Sequence, residues 1–88
     1  MRPTRFVLSP LNYDFKTDRW QLIIAFDAYH YDRYFDVNKS CKGIEDVRLN
    51  RDKHGEIVDA TIVLKRDFDR HLAYVEIYNA FNYLLMEN

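Results

Sequence analysis

Hydrophobic and polar positions alternate most clearly over residues 20–28, where Trp20, Leu22, Ile24, Phe26 and Ala28 all hold even positions. Side chains of a pleated strand point alternately to its two faces, so this row shares one face of a strand. Beyond Asp27 the parity reverses, and Tyr29, Tyr31, Phe35 and Val37 occupy odd positions. One straight strand cannot keep both rows on one face, because a slip of one residue turns every side chain over. The pattern therefore predicts a bulge, a tight turn or a change of sheet within 27–32.

Upstream, Phe6 and Leu8 alternate with Arg5 and Val7 in a short strand that Pro10 ends or confines to a sheet edge, since proline cannot donate to a ladder. Residues 13–18, Tyr-Asp-Phe-Lys-Thr-Asp, are expected to form a polar turn, making 6–26 a hairpin with a wide loop. Residues 38–43 are a loop by composition. A second hairpin follows. Its weaker strand, 44–49, places Val47 and Leu49 on one face. Its turn, 51–55, ends on Gly55, which can take the positive φ such loops need. The return strand, 57–64, is expected to bury Val58, Ala60, Ile62 and Leu64 and to turn Asp59 and Thr61 outward among Ile57 and Val63.

Residues 67–86 contain no glycine or proline and carry a helical repeat, with Asp67 or Asp69 able to cap the first turn. Tyr74, Ile77, Tyr78, Phe81, Leu84 and Leu85 form one broad apolar face, widened by Ala73 and Ala80. Leu72, Val75, Tyr83 and Met86, with Phe68 at the start, gather on the opposite side. A helix lying on one sheet needs a single apolar stripe, so the second is surplus. Three accounts compete: ordinary scatter of exposed apolar residues, cover from the N-terminal segment or the Tyr-rich turn, or a contact surface for a second copy or another protein. The third is preferred, because a small domain has few elements left to cover a helix.

These elements describe a single α+β domain over residues 1–88: an antiparallel sheet of four or five strands from two hairpins, with one C-terminal helix packed on one face. A hydrophobic fraction of 48% with only two glycines and two prolines fits a compact domain and excludes low complexity. Seven Tyr and six Phe exceed the needs of a minimal core and point to rings at a surface. The formal net charge of −1 implies neither nucleic acid nor an anionic membrane. A lone cysteine, Cys41, permits no internal disulfide. With no apolar run long enough to span a bilayer, a cytoplasmic protein without membrane partners is expected.

Candidate chemistry is sparse. His30, His54 and His71 share no metal-ligand spacing. Asp27, His30, Asp32 and Asp36 are the one local acid–histidine cluster, but alternation puts His30, Asp32 and Asp36 on the solvated face of an extended segment and Asp27 on the other, which reads better than a site. Cys41 lies beside Lys39 and Lys42 but has no base partner. Two glycines allow no phosphate-binding loop. No catalytic, metal or cofactor site is expected, and the chain is read as non-enzymatic.

The Tyr-rich segment 29–35 is the preferred recognition element. Tyr29, Tyr31, Arg33 and Tyr34 are residue types that dominate interface hot spots. Leu72, Val75, Tyr83 and Met86 are the expected self-association residues of a homodimer. The function expected is a protein-interaction module, an inhibitor or adaptor that blocks a larger protein, in the style of mobile-element or phage antagonists. The alternative is a small nucleic-acid-binding protein using the Lys/Arg-rich 39–53 region with the Tyr-rich segment. It is weakened by Glu45, Asp46 and Asp52, which interrupt the basic residues.

Overall fold

The computed structural model describes residues 6–26 and 41–86, with backbone alone at Phe26 and over 82–86. Among the described residues five strands, β1 (Phe6–Leu8), β2 (Asn12–Asp14), β3 (Arg19–Phe26), β4 (Ile44–Arg51) and β5 (Ile57–Leu64), precede one helix, α1 (Arg70–Met86). The sheet is antiparallel, in the order β1-β3-β5-β4, and β2 also pairs with β3. This is the α+β architecture anticipated from the alternation. Both β3 and β4 run antiparallel to β5 and hence parallel to each other, so the chain between them joins opposite ends of the sheet. The parity break at 27–32, the acid–histidine cluster and Tyr29, Tyr31, Arg33 and Tyr34 fall in that connection, outside the described residues.

The even-numbered row of β3 faces the helix as its pattern requires. Leu22 lies opposite Ile62 and Ile24 opposite Ala60, and all four are buried. From α1, Ala73, Ile77 and Phe81 fall at i, i+4 and i+8 and close over them. Cys41, Ile44 and Leu64 complete the same core. The Cys41 thiol lies 3.8 Å from the Glu76 carbonyl and is buried under the helix.

Several expectations are corrected. Residues 12–14 are a strand and not part of a wide loop: Tyr13 sits opposite Trp20, and the turn is confined to 15–18. The Asp14 carboxylate holds it, accepting from the Lys16 N–H at 3.1 Å and the Thr17 hydroxyl at 3.0 Å, while Asp18 takes φ 56°. Val58 is half-exposed instead of buried, because it is an extra residue: Asn50 opposes Asp59 but Arg51 opposes Ile57. Val63 is only 2% exposed although it points away from the helix. Gln21 and Asp46 flank it, and the Arg19–Glu45 ion pair, 3.0 Å, bridges β3 to β4 across β5. Long polar side chains can seal an apolar residue with their stems.

The helix begins at Arg70, three residues later than the earliest predicted start. Asp69 is the cap, its Oδ1 accepting from the N–H groups of His71 at 2.9 Å and Leu72 at 3.1 Å. Phe68, expected on the outer stripe, packs inward over Gly43, because it precedes the first helical residue and is not bound by the helix's periodicity.

A candidate interaction surface

The outer side of α1 is built by default. Once Ala73, Ile77 and Phe81 face the sheet, the 100° step per residue places Leu72 and Val75 on the far side. They are 52% and 53% exposed. The same backbone carries Tyr83 and Met86, whose side chains lie outside the described residues. Tyr78, expected on the core face, is 47% exposed at its margin, its ring 5.7 Å from Phe6. Asp69 fixes where this surface starts. Those two N–H donors hold its carboxyl below the ordinary carboxylate value, with smaller help from the charges of His71 and Arg70.

A second surface was not anticipated from the sequence. At the β2–β3 tip, Phe15 is 88% exposed. Its ring meets Tyr13 edge-on at 5.1 Å, Tyr13 meets Trp20 at 5.6 Å, and the Arg70 guanidinium lies 4.3 Å over Trp20. The Tyr13 hydroxyl also donates to Asp18. The strip therefore joins β2, β3 and the start of α1 through three ring or cation–π contacts. Its signal in the sequence was a pair of aromatic residues, Tyr13 and Phe15, inside a stretch expected to be a polar turn.

Three of the nine described basic residues are ion-paired. Arg19 pairs with Glu45, Arg48 with Asp46 at 3.1 Å, and Arg66 with Asp18 at 2.5 Å. Arg51 donates to the Gly55 carbonyl. Lys42 and Lys65 line an open cleft of about 580 Å³ with Arg19 and Arg66, but Glu45 and Asp67 share it. Among the described residues no three His, Cys, Asp or Glu side chains gather as metal ligands, and no helix is long and apolar enough to cross a membrane. Comparison with protein-family models and with curated proteins finds no match for this chain.

Proposed function

We propose that this chain is a non-catalytic protein-interaction module, an inhibitor or adaptor that works in the cytoplasm by covering part of a larger protein and that also self-associates. The observation carrying this reading is the pair Leu72 and Val75, half-exposed on a helix whose opposite side already fills the core. Isolated exposed apolar residues are ordinary, but these lie three apart on one rigid, capped element. Tyr13, Phe15, Trp20 and Arg70 add a neighbouring strip of hot-spot composition. The nucleic-acid alternative is the weaker reading, because carboxylates within ion-pair distance oppose Arg19, Arg48 and Arg66.

Full burial of a Leu or Val side chain is worth about 1.5–3 kcal/mol, so covering the exposed half of each contributes about 1 kcal/mol. Together that is about 2 kcal/mol, or roughly thirtyfold in Kd. The test is capture from the native host with the wild-type chain as bait, identification of the retained protein, and titration of that protein against Leu72→Asp/Val75→Asp. A loss of thirtyfold or more, with unchanged far-UV circular dichroism, is expected. Equal affinity of the variant rejects the helix face as the contact.

A further inference from the structure

Among the described residues β4 is an outer strand of the sheet, and its unpaired edge is short and distinctive. In an antiparallel pair, alternate residues bond to the neighbour and those between point their N–H and C=O groups away. The bonds flanking the β4–β5 ladder, Lys65 N–H to the Gly43 carbonyl and Asp52 N–H to the Glu56 carbonyl, set that alternation through one irregularity at each end. It follows that Asp46, Arg48 and Asn50 bond to β5 through Val63, Thr61 and Asp59. Val47 and Leu49 offer their backbone groups outward, with no hydrogen-bond partner among the described residues. The regular stretch is only Asp46 to Asn50, because Glu45 is the extra residue at one end and Val58 at the other.

Along this stretch the charge changes sign. Asp46 and Arg48 share the sheet face away from the helix and pair with each other at 3.1 Å, both more than half exposed. A two-fold axis through Val47 would pair the two β4 strands antiparallel, with Val47 bonding to its own copy. Asp46 would then face Arg48 of the second copy, and Arg48 would face its Asp46. Sliding the axis one residue, to Arg48, sets Arg48 against itself. Sliding it to Leu49 sets Asp46 against Asp52. Opposite charges directly across a ladder stabilise and like charges destabilise, so the Val47-centred register is favoured over both of these neighbours. Charges on an edge strand ordinarily guard against pairing; here they disfavour the registers centred on Asp46, Arg48 and Leu49 and favour the one centred on Val47.

We propose that a second copy of this chain docks on the β4 edge in the Val47-centred register, making one continuous sheet and leaving the outer side of α1 free for the partner. This rests on the self-association part of the reading above and names its surface.

The test is sedimentation velocity at micromolar to millimolar concentration on the full chain and four samples: Asp46→Arg, Arg48→Asp, an equimolar mixture of the two, and the double variant Asp46→Arg/Arg48→Asp. The wild type is expected to dimerise. Each single variant turns both cross-strand pairs repulsive and should weaken the dimer about tenfold or more. The mixture should recover it as a heterodimer, and the double variant, with both pairs restored in reverse, should recover it alone and so show that the positions tolerate the exchange. A strictly monomeric wild type, single variants that associate like the wild type, or a mixture without recovery would each overturn the proposal. Leu72→Asp/Val75→Asp should leave the dimer intact. If that variant dissolves the dimer while the β4 variants do not, the second copy sits on the helix, and the edge proposal fails while the interaction reading stands.

Discussion

Replacing Gly43 by alanine would place a methyl carbon 2.7 Å from Cδ1 and 2.9 Å from Cε1 of Phe68, and 2.8 Å from Cβ of Ala73. These separations are well inside van der Waals contact. The Phe68 ring can rotate or withdraw, but the Ala73 Cβ is fixed to the helix backbone and moves only if α1 moves. Gly43 does not occupy the left-handed region, so alanine fits its backbone and would gain about 0.4–1 kcal/mol from a less disordered unfolded chain. Against this, forcing a methyl into a packed core costs about 1–3 kcal/mol. The clash wins, with a net loss of about 1–2 kcal/mol. In a domain of this size, 1 kcal/mol shifts the melting temperature by about 4–8 °C, so Tm should fall by about 5–15 °C.

The assay is thermal and urea unfolding of wild type and Gly43→Ala, followed by far-UV circular dichroism and by fluorescence of Trp20, the one tryptophan. Because Trp20 lies under Arg70 at the start of α1, its emission should also change in the folded variant as that end of the helix is displaced. Adding Phe68→Leu should recover part of the loss by vacating the ring position, but not the part due to Ala73. A melting temperature equal to or above wild type would refute the close approach of α1 to the β4 lead-in.

Other outcomes follow from single contacts. The Asp69 carboxyl is held below its ordinary value in the fold, so its capping contribution is complete above the unfolded-state pKa of about 3.9 and disappears as pH falls through the lower folded value. Asp69→Ala should therefore melt earlier than wild type at neutral pH, and the gap should close below about pH 4. A gap of constant size would disprove the cap. The Cys41 thiol, buried against the Glu76 carbonyl, should react with a maleimide only as fast as the fold opens, and at the free-thiol rate in denaturant. Fast labelling of the native protein would contradict its burial.

What the chain determined by itself was local. Alternation placed Trp20, Leu22 and Ile24 on one face, and the β4–β5 turn was legible because Gly55 supplies the positive φ, 81° in the structure. The helix was legible from an uninterrupted repeat and a side chain able to cap it. The exposed pair Leu72 and Val75 followed from the same repeat, as the residues left over once one face is assigned to the sheet. Tertiary structure decided what local pattern does not encode. Two bulges took Glu45 and Val58 out of register, and Val58 left the core although its parity matched Ala60 and Ile62. An ion pair between residues 26 positions apart helped seal Val63 on the face that alternation assigns to solvent. Phe68 turned inward because a glycine distant in sequence left room for its ring. The aromatic strip and the open edge of β4 arise in the same way, since both depend on which strands become neighbours. Strand order is set by long-range pairing, and periodicity along a chain carries a residue's face but not the identity of what lies beside it.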